Sequence, residues 1–147
     1  MITLGGSRED AYAILTHPEI YPNITDDFST EFSIPGNMFA LVAYSDDVPA
    51  ACVTLLSRNG IKLEIHVQIL PDYRHMSDLL GKSMLNWIWD NTTAQKLVAE
   101  IAFKFENVKR YAESMGFQVE GISKGSIMLD GRLTDQWIMG LSKWQQR

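Results

Sequence analysis

Apolar and polar side chains alternate most cleanly where Leu63, Ile65, Val67 and Ile69 are interleaved with Glu64, His66 and Gln68. That period of two predicts a strand with one apolar and one polar face. Pro71 and Asp72 end it. The spacing then changes: Leu80, Met84, Trp87 and Ile88 predict an amphipathic helix, with Ser77 or Asp78 as its cap. A strand that turns into a helix N-terminus makes an anion site, because the first helical N–H groups lack internal partners and the helix dipole is positive there. Arg74 and His75 in the turn add positive charge.

The same patterns divide the rest of the chain. Ile2 to Leu4 predicts a short strand, and Ser7 followed by Glu9 and Asp10 predicts a helix start, with Ala11, Ile14 and Leu15 inward and His17-Pro18 at its end. Residues 19–37, rich in Pro, Asn, Asp, Ser and Thr, predict a long excursion with one helical turn and apolar anchors at Ile20, Tyr21, Ile24 and Phe28. Phe39–Tyr44 and Ala50–Ser57 predict a hairpin closed at Asp46-Asp47, and Asn59-Gly60 predicts the two-residue turn into the Leu63–Leu70 strand. Lys96–Phe103 predicts an apolar strand, Glu106–Met115 a helix ended by Gly116, and 117–120, 126–129 and 137–142 closing strands with a turn at Asp130-Gly131. The expected fold class is α+β: one domain over 1–147 with a mixed, mostly antiparallel sheet, helices on both faces, and the strands at 63–70 and 97–103 parallel.

Composition narrows the function classes. With 147 residues, 46% hydrophobic and 21% charged, the chain reads as a globular domain. A formal net charge of -5 argues against nucleic acid as a partner. No apolar run approaches the roughly 20 residues of a membrane span. No basic, apolar leader opens the chain, so a cytoplasmic location is expected. Cys52, the single cysteine, lies in an apolar run and reads as a buried thiol. No metal-ligand spacing, serine triad or phosphate-loop lysine motif is present.

Three stretches carry a family resemblance. LEIHVQILPDYR resembles the central strand and following turn of GNAT N-acetyltransferases; YAESMGF, Tyr111 to Phe117, is similar to their helix-to-strand step; and Glu120 to Lys143 is similar to their closing hairpin. Small chains of this fold with degenerate loops are also similar to some encoded by tailed bacteriophages. The resemblance implies acetyl-CoA as the acyl donor, held by the main chain of Val67, Gln68 and Ile69 and by the loop Arg74, His75, Met76, Ser77, Asp78 and Leu79. The family loop reads Arg/Gln-x-x-Gly-x-Gly/Ala. Counted from Arg74, its glycine positions hold Ser77 and Leu79, and a two-residue insertion places Gly81 at the last of them. The family's helix asparagine aligns with Phe105, with Asn107 two residues on, and its general-acid tyrosine aligns with Ala112, one residue after Tyr111.

The resemblance implies a general base on this polar face, supplied by Glu64 or else by His66, its same-face neighbour, which otherwise orients the acceptor or relays the proton; Tyr111 is the candidate acid. The same polar face also reads as a solvated sheet surface. Trp87 fits the apolar helix face, which leaves Trp89 partly exposed; with Trp137 and Trp144 it suggests a homodimer or a protein partner. Lys104, Lys109 and Arg110 form a small basic patch. Two functions follow: an acetyltransferase acting on an amine acceptor, either a protein or a small molecule, or a non-catalytic GNAT-fold protein that binds a partner. The loop from Arg74 to Gly81 discriminates between them.

Overall fold

The computed structural model describes residues 1–29 and 32–146. Seven strands form one sheet: β1 (Ile2–Gly5), β2 (Phe39–Ser45), β3 (Val48–Ser57), β4 (Lys62–Ile69), β5 (Lys96–Ala102), β6 (Gln118–Leu129) and β7 (Arg132–Ser142), in the order β1-β2-β3-β4-β5-β7-β6. Every neighbouring pair is antiparallel except β4 and β5, which are parallel as expected. The hairpin turns use residues that tolerate positive φ: Asp46 and Asp47 at 49° and 69°, Asp130 and Gly131 at 54° and 77°. Asn59-Gly60 departs from the two-residue turn. The Asn59 carboxamide accepts from the N–H groups of Ile61 and Lys62, both at 2.9 Å, and so shapes a longer loop.

Helices cover both faces. Helix α1 (Arg8–Leu15) starts where the Ser7 hydroxyl accepts from the Asp10 N–H at 3.1 Å. It packs Ala11, Ile14 and Leu15 with Ala40, Val42 and Cys52 into a small core. On the opposite face α2 (Ser77–Asn91) and α3 (Glu106–Ser114) cover the main core, where Leu80, Met84 and Ile88 meet Leu41, Val53, Ile65, Leu97 and Met139. The alternation of β4 sorts as predicted: its odd residues enter the main core and its even residues face the other way.

Two expectations are corrected. The stretch after β4 is a 3-10 helix, Pro71–Met76, running directly into α2, because Pro71 and Asp72 start a helical turn as readily as they stop a strand. Trp89 is the buried tryptophan, 6% exposed, while Trp87 is half-buried and stacks on Phe39 with ring centroids 5.8 Å apart. Of the two or three closing strands expected, two form: β6 runs unbroken through its polar middle with register shifts between Val119 and Gly121 and between Ser123 and Ile127.

After α1 the chain forms a 3-10 turn at Tyr21–Asn23 and places Ile24, Phe32 and Ile34 against the small core. The Arg8 guanidinium donates to the carbonyls of Met38 at 2.9 Å and Ile34 at 2.6 Å, pinning the returning end.

Helices α2 and α3 touch at Gly81. A methyl group there would overlap the Tyr111 hydroxyl and lie 2.8 Å from the Met115 sulfur. Gly81→Ala should therefore destabilise the fold by about 1–3 kcal/mol, as overpacking does. Denaturant unfolding should show the loss, and Tyr111→Phe in the same chain should recover part of it.

Candidate active site

Strand β4 pairs with β5 only at Lys62–Lys96, Leu63–Leu97 and Glu64–Val98, although β4 continues to Ile69 and β5 to Ala102. Beyond that point each strand follows its other neighbour, β3 or β7, and the two separate. The opening is a cleft of about 700 Å³ that spans the sheet. Which main-chain groups face it follows from parity. The Leu70 N–H donates to the Ala50 carbonyl on β3, so even-numbered residues of β4 turn their N–H and C=O groups to β3 and odd-numbered ones turn theirs to β5. Past Val98 there is no strand opposite, and Val67 and Ile69 present main-chain donors and acceptors to the cleft.

Three strands supply polar side chains to the cleft. His66 and Gln68 line it from β4, Glu100 from β5 and Gln136 from β7. Glu64 and Val98 are the last pair, so His66 and Glu100, each two residues on, stand level across the opening on one face. Glu64 lies at the closed end and is not among the lining residues. Its carboxylate takes the Arg58 guanidinium at 2.6 Å and lies 3.3 Å from His66 Nε2. The hydrogen bond from His66, then the one from Arg58, with the charges of both partners adding less, outweigh the upward push of burial and bring the Glu64 carboxyl down to about 2. A carboxylate so stabilised is a weak base at neutral pH. Glu64 Oε2 also holds the His66 ring nitrogen at 3.3 Å.

Of the residues singled out in the sequence, Val67, Gln68, Ile69, Arg74, Ser77, Asn107 and Tyr111 line the cleft. His75, Met76, Asp78 and Leu79 do not: His75, Asp78 and Leu79 face solvent, and Met76 packs on the main core. Arg74 is exposed at the cleft and makes no ion pair among the described residues. The expected row of free amides is altered by the 3-10 helix, since the Ser77 N–H already donates to the Arg74 carbonyl. Gly81 does not leave room for a phosphate. The Tyr111 side chain fills that space and donates to the Ser77 carbonyl at 2.8 Å. Burial, with the Asp78 charge second, pushes the Tyr111 hydroxyl up to about 12, so it stays a proton donor. The basic patch is largely committed: Lys104 pairs with Asp130 at 3.0 Å, and Lys109 with Glu113 at 3.4 Å.

Sequence reading missed Glu100 and Gln136. Glu100 did leave a signal, a lone charge in the middle of an apolar strand, where a carboxylate needs solvent or a ligand beside it.

No protein-family model matches the chain, and no curated protein matches it. Solved structures do. The spermidine N-acetyltransferase of Vibrio cholerae, in complex with CoA and spermine, is similar at a TM-score of 0.80 and 14% identity over 98% of this chain and 96% of that one. A GNAT-family acetyltransferase from Streptococcus pneumoniae is similar at a TM-score of 0.71 and 14% identity over 97% of this chain and 99% of that one. The fold of this chain is thus the GNAT fold.

The Glu64 network sets an acid limb of stability. Its carboxyl titrates near 4.5 when unfolded and near 2 when folded, so its contribution is complete above 4.5 and is lost as pH falls toward 2. Glu64→Gln should flatten the stability profile between those values relative to the parent chain, as read by urea midpoints from pH 5 to pH 2.

Proposed function

We propose that the chain is an acyl-CoA-dependent N-acetyltransferase that passes acetyl directly to an amine, either a small amine, a lysine or a protein amino terminus. One observation carries this reading: the unpaired β4 edge at Val67 and Ile69, inside a cleft that spans the sheet. The pantetheine arm of coenzyme A is slim and holds two amide groups, which is the chemistry an open strand edge pairs with. Arg74 at the mouth supplies a guanidinium for the phosphates.

The acceptor arrives as an ammonium and must lose a proton before its nitrogen attacks the thioester carbonyl. In that step the new C–N bond replaces the C–S bond, and the sulfur leaves as the thiol with one proton. Imidazole matches this proton transfer near neutral pH. We assign the base to His66, oriented by Glu64. This replaces Glu64 as base, because its carboxylate is held by Arg58 and sits outside the cleft lining.

A second reading has its own support. The Ser77 N–H is occupied and the space at Gly81 is filled, which suits a GNAT-fold protein that binds a protein partner without coenzyme A. Titration calorimetry with acetyl-CoA separates the two. The transferase reading expects saturable heat and a raised melting temperature. No heat and no shift at millimolar ligand would favour the partner-binding reading. Given transfer, His66→Gln should lower kcat by about 100- to 10,000-fold, as loss of a general base does, with KM for acetyl-CoA unchanged. Glu64→Gln should cost less, about tenfold, because the ring keeps its place with poorer alignment. A fully active His66→Gln with an inactive Glu64→Gln would restore Glu64 as the base.

A further inference from the structure

One hydroxyl on the wall of the cleft serves no contact of the fold. Thr54 stands in the apolar run 50–56 of β3, and its neighbours on that face, Cys52 on the same strand and Ala40 on β2, belong to the small core. Valine has nearly the same volume and would bury there without a polar atom. Thr54 is 5% exposed and lines the cleft, and its hydroxyl makes no hydrogen bond among the described residues. Among those residues the one side-chain polar atom both shut away and unpartnered is Trp89 Nε1. The Thr54 hydroxyl therefore keeps an open side, and the space beside it is the cleft. A hydroxyl so far removed from water and left without a partner costs stability, which a polar ligand in the cleft would offset.

Thr54 is paired in register with His66 on β4. Side chains directly opposed on an antiparallel pair have Cβ atoms about 5 Å apart, so one small polar atom in the cleft can hydrogen-bond to both. Which ring nitrogen takes part follows from Glu64. Its carboxylate, held down by His66 and Arg58, is ionised at neutral pH, and an ionised carboxylate only accepts. His66 Nε2, 3.3 Å from Glu64 Oε2, therefore carries the proton of the neutral ring. The lone pair is left on Nδ1, which has no partner among the described residues. Thr54 Oγ1 and His66 Nδ1 are thus two unmet acceptors side by side on one wall.

We propose that Thr54 Oγ1 and His66 Nδ1 form a two-point site for the nitrogen of a primary amine, in which Thr54 holds and aims the nitrogen and Nδ1 receives its proton. That the bound amine reacts rests on the acetyl-transfer reading; the site itself does not. The ammonium gives one proton to Nδ1, and a second N–H donates to Thr54 Oγ1. Holding that N–H fixes the direction of the lone pair the first proton leaves behind. The lone pair attacks the thioester carbon, the C–N bond replaces the C–S bond, and the surplus proton on nitrogen leaves with the sulfur. The imidazolium returns its proton to water, and no bond of Thr54 changes.

The test follows the His66 ring nitrogens by NMR in the nitrogen-15-labelled chain, with the ring neutral, as n-butylamine is added. The Nδ1 resonance should shift saturably while Nε2 holds its place. Thr54→Val should weaken that binding by about 10- to 100-fold, the loss of one hydrogen bond to a charged donor, and Thr54→Ser should restore most of it. Thr54→Val should also melt no lower than the parent chain, because no described group loses a partner. In turnover, Thr54→Val should lower kcat/KM for the amine by the same about 10- to 100-fold with KM for acetyl-CoA unchanged. No shift, or a shift at Nε2 in place of Nδ1, would overturn the site. Equal affinity in Thr54→Val, or a lower melting temperature, would overturn the part given to Thr54. An amine that binds as described and is not acetylated would support the site and sink the transferase reading.

Discussion

Two strands in this sheet run parallel for only three residue pairs, and the geometry of the site follows from that limit. Strand β4 makes seven pairs with β3, and β5 makes seven with β7, so each is held far more firmly by its antiparallel neighbour. Each half-sheet keeps its own twist, and the two halves meet only at the closed end near Glu64 and Val98. Everything beyond that pair is forced open. The opening leaves a strand edge without a partner in the middle of the molecule, where unmet N–H and C=O groups are costly unless water or a ligand meets them.

Charge is distributed along the opening in order of depth. The closed end holds the Arg58–Glu64–His66 chain, in which a guanidinium fixes a carboxylate and the carboxylate fixes an imidazole. Glu100 stands level with His66 on the facing strand, and Arg74 lies on the side of the helical turn after β4. A carboxylate at the locus of an incoming ammonium and a guanidinium on the side of incoming phosphates suit a donor and an acceptor that approach from different directions. Tyr111 belongs to the packing of α2 on α3 as much as to the cleft, since its hydroxyl bonds Ser77 and its ring occupies the space that Gly81 leaves.

How much of this was legible depends on the range of the interaction. The faces of β4 were readable because alternation is a local property, and so were both hairpin turns, whose Asp-Asp and Asp-Gly pairs adopt positive φ. The helical turn at Pro71–Met76 was not, because Pro-Asp punctuates a strand and opens a helix with equal ease. The order of burial of Trp87 and Trp89 was not, because both lie near the boundary of the apolar face and tertiary neighbours decide. Strand β6 hid behind polar residues and two register shifts, as an edge strand often does. His66 and Glu64 were both picked out, but the arrangement around them depends on Arg58, in the loop between β3 and β4, and on where β5 leaves β4.

The central claim is that the β4 edge past Glu64 is open and is the docking edge for an extended, amide-bearing donor. Residue-resolved amide hydrogen exchange, measured with and without coenzyme A, tests it most directly. The account predicts that the N–H groups of Val67 and Ile69 exchange far faster in the free chain than that of Leu70, which bonds Ala50, and that coenzyme A slows Val67 and Ile69 while leaving Leu70 unchanged. Strong protection of Val67 and Ile69 in the free chain, or exchange indifferent to coenzyme A, would contradict it.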